Sequence, residues 1–179
     1  MTKNELENKS LVLITLFGFI GNIAFGWIGA LFDHGSAPQV LLFQIGNAFA
    51  IAACVMAGRY TGLRGQHVAA SAYILLGITH GISLAALSSS GINADREATM
   101  AMPMIPSLIF MLWCDLYPKW LRYCALIPSI FFITIYTNVH LGDKFLGRSL
   151  YMGYATLQIN ELLWGIYLYK DWKKIAIQK

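Results

Sequence analysis

Residues 11–31 read LVLITLFGFIGNIAFGWIGAL, an apolar run without a single charge. A hydrocarbon core about 30 Å thick is crossed by ~20 such residues in helical form. A membrane β-strand would instead alternate apolar and polar residues over about 10 positions. This run does not alternate, and neither does 126–135, so both read as helices that satisfy their own backbone hydrogen bonds inside lipid. Residues 39–58, 68–87, 100–117, 121–141 and 150–169 repeat the pattern with short connections. The expectation is an all-α, polytopic integral membrane protein: a six-transmembrane-helix bundle forming one domain over residues 1–179.

The composition agrees. The chain is 57% hydrophobic and 12% charged, and its mean hydropathy is +0.56. A soluble domain carries about 25% charged residues, so this chain has too few to coat a soluble surface. The leader 1–10 holds Lys3, Glu5, Glu7 and Lys9, and no small-x-small exit follows the apolar run before Asp33. The first span is therefore read as retained.

Basic residues near span ends favour the cytoplasm. With the N-terminus inside, the inner segments hold Lys3, Lys9, Arg59, Arg64, Lys119, Arg122, Lys170, Lys173, Lys174 and Lys179. The outer loops hold only Arg96, Lys144 and Arg148. That bias predicts both termini in the cytoplasm, and the expected location is the plasma membrane, the inner membrane of a bacterium. The formal net charge of +4 is then a topology signal, and no nucleic-acid partner is expected. Cys54, Cys114 and Cys124 fall on the reducing, inner side and read as small apolar fillers. Trp113, Tyr117, Trp120, Tyr123, Tyr169 and Trp172 read as an inner aromatic belt.

Polar side chains inside the spans single out candidate sites. Glu161 lies near the midplane of the last span. Tyr151, Tyr154, Gln158 and Glu161 recur at i, i+3, i+7, i+10 and form one stripe. His80 reaches the same depth, on the order of 18 Å from the start of its span at 1.5 Å per residue. Asn22 lies in the small-residue row Gly18, Asn22, Gly26, Ala30, and Gly77 and Gly81 bracket His80 with the spacing that lets helices approach closely. Gln44 and Asn47 share a face of the second span, and His140 closes the fifth. The candidate ligand-binding set is Glu161, His80, Gln158, Tyr154, Asn22, Asn47, Gln44 and His140. Asp115 reads as an interface partner of Lys119, and Ser88–Ser89–Ser90–Gly91 as an outer loop.

Residues 100–106, MAMPMIP, place two prolines in the fourth span and predict a distorted helix. No metal site and no cofactor are expected. The two weaker alternatives are a single heme between His80 and His140 and copper at Met100, Met102 and Met104. HExxH, GxSxG, Walker A and paired CxxC motifs are absent from the sequence.

Three functions compete. The first is a small-solute channel, transporter or substrate-capture subunit, with a polar cavity opening outward around Glu161 and taking a polar or cationic solute. The second is a membrane enzyme acting on a lipid or isoprenoid, with Glu161 and His80 as its acid–base pair. The third is an assembly subunit, whose polar residues hold helices, identical copies or partner membrane subunits together.

Overall fold

The structure, a computed structural model, describes residues 3–90, 94–142 and 147–178. It is all-helical among the described residues. Helices α1 (Lys3–Gly29), α2 (Ala37–Leu63), α3 (His67–Ser90) and α4 (Ala94–Phe110) follow one another, and a 3-10 turn (Met111–Trp113) ends the fourth. Helices α5 (Lys119–Cys124), α6 (Leu126–His140) and α7 (Gly147–Ile177) complete the chain. Among the described residues, four segments are long and apolar enough to cross a membrane: Asn8–Gly29, Ala37–Leu63, His67–Leu87 and Lys119–His140, which joins α5 to α6. Ala98–Trp113 is apolar but shorter. In α7 the apolar character is diluted by Gln158, Asn160, Glu161 and the charged residues Lys170, Asp171, Lys173 and Lys174.

The helix ends follow local chemistry. The Ser36 hydroxyl caps α2 by accepting from the Gln39 N–H at 3.4 Å, and Pro38 sits in the first turn, where a missing N–H costs nothing. Gly65, at φ +75°, supplies the left-handed residue that turns α2 directly into α3. Pro103 and Pro106 lie inside α4. They offer no N–H to the carbonyls four residues earlier, and the helix tightens into its 3-10 turn within two turns of them. Residues 88–91 read as a loop in the sequence, but α3 continues to Ser90; Gly91 and Lys144 lie outside the described residues.

Each helix packs on its neighbour: α1 on α2, α2 on α3, α3 on α4, α4 on α6 and α6 on α7, and α7 returns to α1. The helices thus form a closed ring in which α3 stands opposite α7. Large apolar residues turn outward on the ring, among them Phe17, Ile20, Leu41, Val55, Ile74, Ile78, Ile130, Ile133 and Ile159. In water such a belt would be an extensive exposed apolar surface; against acyl chains it is ordinary.

Close approach rests on specific glycines. A Cβ at Gly18 would stand 2.7 Å from the Ala53 Cβ and 2.8 Å from the Phe49 carbonyl oxygen, so α1 and α2 nearly touch there. Gly77 has the Cys54 Cβ at 3.2 Å from its own virtual Cβ, whereas Gly81 faces open space. Of the paired glycines on α3, only the first is a packing contact.

Candidate functional site

Four polar side chains from four helices meet in the middle of the ring. Asn22 (α1) donates from Nδ2 to Glu161 Oε2 (α7) at 2.6 Å. His80 Nε2 (α3) lies 2.9 Å from Glu161 Oε1, and His80 Nδ1 lies 2.8 Å from Asn47 Oδ1 (α2). Glu161 is wholly buried, and His80 and Asn22 nearly so.

The network fixes its own protons. Asn47 Nδ2 donates to the Phe43 carbonyl at 2.9 Å, which turns Oδ1 toward the imidazole. His80 Nδ1 must therefore carry a hydrogen. Asn22 donates to Oε2, so that carboxylate oxygen is an acceptor. The remaining proton lies between Nε2 and Oε1: the pair is either imidazolium with carboxylate or imidazole with carboxylic acid. Both arrangements are neutral overall and leave every atom of the contact satisfied, as a low-dielectric interior demands.

Above this quartet is a cavity of about 350 Å3. Asn22, Asn47, His80 and Gln158 give it a polar end, and Ser83 adds a hydroxyl to its wall. Trp27, Phe43, Leu87, Met100, Leu150 and Tyr154 make the rest of the wall mostly apolar. The cavity runs toward Ala30 and His34 beyond α1 and toward Tyr151 at the start of α7, where the surrounding side chains are exposed. Gln158 reaches the backbone of Asn22 through a long Nε2-to-carbonyl contact of 3.4 Å, over the gap left by Gly26.

On the other side of the quartet the interior is shut by aromatic rings. Tyr73 stacks on Phe19 at 6.4 Å and meets Trp164 edge-on at 6.0 Å. Trp164 stacks on Tyr117 at 6.4 Å, and the Tyr73 and Tyr117 hydroxyls are hydrogen-bonded to each other. All four rings are buried. Tyr117 is therefore part of this plug and not of an interface belt, while Trp113, Trp120 and Tyr123 are exposed. Beyond the plug, Asp171 Oδ2 accepts from the Tyr60 hydroxyl at 2.8 Å and from Arg64 Nε at 3.0 Å. Asp115 pairs with Arg122 at 2.9 Å; the expected partner, Lys119, is replaced by a guanidinium that also donates to the Tyr117 carbonyl.

Of the candidates read from the sequence, Asn22, Asn47, His80 and Glu161 are joined by direct bonds, and Gln158 and Tyr154 line the cavity above them. Gln44 shares its helix with Asn47 but is not among the lining residues. His140 is exposed and bonds within its own helix, Nδ1 to the Tyr136 carbonyl at 2.9 Å, with its ring over Tyr136. It does not face His80 across the interior. Met100 and Met104 are buried on one face while Met102 points outward, 55% exposed, so the three thioethers do not converge, since residues two apart on a helix face different sides. Sequence reasoning did not single out Cys54, which lies beside His80 and Glu161; its i+7 spacing from Asn47 was the available signal. Comparison with protein-family models, curated proteins and solved structures finds no match to this chain.

Proposed function

We propose that this chain is a small-solute-binding membrane protein, a channel, transporter or substrate-capture subunit, whose ligand enters the cavity from the outer face. In this reading α4 with its 3-10 turn and α7 complete six spans, and the cytoplasm holds both termini, as the clustering of basic residues favours. The observation that carries it is the position of Glu161. A buried acid lies directly behind the polar end of an open cavity, and both of its hydrogen-bond partners line that cavity. Intramembrane carboxyl groups placed so are characteristic of ion and solute paths.

The volume falls within the range of small-molecule sites. The mixture of walls selects an amphipathic occupant: a polar or cationic group against Asn22, Asn47 and His80, and an apolar portion along Trp27, Phe43 and Leu150. Glu161 either holds the cationic group through its partners or exchanges the proton it shares with His80. The aromatic plug blocks the far end, so passage to the cytoplasm requires the Tyr73–Tyr117 and Trp164 contacts to open.

The test is uptake and binding by the purified chain in vesicles, with a panel of small amines and amphipathic cations, with and without a proton gradient. Glu161→Gln is expected to lose binding at least tenfold while the protein remains folded. Unchanged binding or uptake in that variant removes Glu161 from the mechanism. The apolar walls also suit an acyl or isoprenoid chain, which sustains the enzyme reading. Turnover of such a lipid, lost in both His80→Ala and Glu161→Gln, would replace the transport reading with that one.

A further inference from the structure

Cys54, His80 and Glu161 come from three helices, and all are buried. One donor atom from each, a sulfur, an imidazole nitrogen and a carboxylate oxygen, lies within 4.8 Å of the other two. The approach of α3 to α2 at Gly77 is what brings the sulfur alongside. We propose that these three residues form a binding site for one divalent cation of the zinc class, behind the polar end of the cavity.

The first argument is geometric. Tetrahedral bonds of about 2.0–2.3 Å put ligand atoms roughly 3.3–3.6 Å apart. His80 Nε2 and Glu161 Oε1 are at 2.9 Å and must open by a few tenths of an ångström. The sulfur lies within 4.8 Å of the other two donors and must close by at most about 1.2–1.5 Å, within the reach of a χ1 adjustment.

The second is the outer shell. A metal-binding imidazole characteristically donates its other N–H to a carbonyl or carboxylate, and a ligating carboxylate is itself hydrogen-bonded. Asn47 Oδ1 already takes the Nδ1 hydrogen of His80, leaving Nε2 as the ligand nitrogen. Asn22 already holds Glu161 Oε2, leaving Oε1 as the ligand oxygen.

The third is charge. A cation displaces the Cys54 thiol proton and the proton shared by His80 and Glu161. Two negative ligands then balance two positive charges, and the interior stays neutral, as burial requires. The donor set of thiolate, imidazole and carboxylate suits zinc or cobalt. It does not suit magnesium or calcium, which take oxygen ligands. The same geometry disfavours a thiol nucleophile, because both His80 nitrogens are already engaged and neither is left to activate Cys54.

The experiment uses the full chain purified in detergent, stripped with chelator and titrated with Co2+. One equivalent is expected to bind with tetrahedral visible bands and a thiolate-to-cobalt charge-transfer band, and Zn2+ is expected to displace it. Cys54→Ala keeps the small packing volume beside Gly77 and is expected to abolish the charge-transfer band and weaken binding at least tenfold. X-ray absorption on the zinc-loaded native chain needs no variant and is expected to show one sulfur at about 2.3 Å with nitrogen and oxygen neighbours at about 2.0–2.1 Å. Failure of the native chain to take up stoichiometric metal, a sulfur-free shell, or native affinity in Cys54→Ala would overturn the site. Cys54→Ala leaves the residues that line the cavity unchanged, so its effect on metal is separable from failure of the solute-binding reading.

Discussion

His80 and Glu161 meet at 2.9 Å from opposite sides of a six-membered helix ring. Their helices, α3 and α7, are not neighbours in that ring, so this side-chain bridge joins parts of the bundle that backbone packing leaves apart. Asn47 behind the imidazole and Asn22 behind the carboxyl extend the bridge to α2 and α1. The contact thus contributes to stability as well as to the site, and the two roles can be separated by choice of substitution.

Glu161→Ala strands His80 Nε2 and Asn22 Nδ2 in a buried interior. Removing one partner of a buried pair costs about 3–5 kcal/mol, and that loss should appear as a large fall in unfolding temperature in detergent. Glu161→Gln can keep every bond. Its amide oxygen accepts from Asn22, and its amide N–H donates to His80 Nε2, while Nδ1 remains bonded to Asn47. It should unfold close to the native chain. If the two variants were equally destabilised, the proton assignment derived from Asn47 would be wrong.

The glycines of α1 and α3 give a contrasting pair. At Gly18 an added methyl meets the Ala53 Cβ at 2.7 Å and a backbone oxygen at 2.8 Å, neither of which can swing away. Gly18→Ala must push α1 off α2, at a cost typical of overpacking, about 1–3 kcal/mol. Gly81→Ala meets nothing within 4 Å and should leave stability unchanged or slightly raised by helix propensity. Thermal unfolding of both variants measures the difference; equal losses would contradict the packing described for α3.

Much of this arrangement is legible in the residues. Apolar runs without alternation fix helices, and α-helical periodicity fixes which side chains share a stripe. Spacing alone groups Tyr151, Tyr154, Gln158 and Glu161, and the first three line the cavity that ends just short of the fourth. Depth arithmetic brought His80 to the level of Glu161. Rotation of each helix about its axis is not legible, because one or two polar residues in an otherwise apolar span do not show which side turns inward. Hence the spacing groups His140 with residues it does not join and Gln44 with a cavity it does not line, and it marks Gly81 as a contact. The position of Cys54 beside His80 and Glu161 is not legible for a related reason. A small thiol in a span has the same sequence signature whether it fills space or faces an imidazole, and only the ring closure puts it beside His80.

The six-span, cytoplasmic-termini proposal predicts an asymmetric labelling pattern. In a background with the three native cysteines replaced by alanine, His34→Cys lies beyond α1 near the cavity mouth and should react in intact cells with a membrane-impermeant maleimide. Lys174→Cys, on the far end of α7, should react only after the cells are opened. His34 and Lys174 are both exposed, so reagent access to the residue itself does not limit either reaction. Reaction of Lys174→Cys from outside would reverse the orientation, and reaction of both from the same side would remove the closed six-span path.

At the opposite end from the cavity, Asp171 Oδ2 receives both the Tyr60 hydroxyl and Arg64 Nε, and the two contacts should not weigh equally. Arg64 is 38% exposed, so solvent screens the ion pair and its contribution falls in the 0–1 kcal/mol range of surface bridges. The Tyr60 side chain is buried, and its bond is made to a charged acceptor, worth about 1.5–3 kcal/mol. Tyr60→Phe should therefore lower the unfolding temperature more than Arg64→Ala. Raising the salt concentration should shrink the Arg64→Ala effect and leave that of Tyr60→Phe nearly unchanged. The reverse order, or equal sensitivity to salt, would place the stabilising contact between α2 and α7 on the guanidinium instead of the phenol.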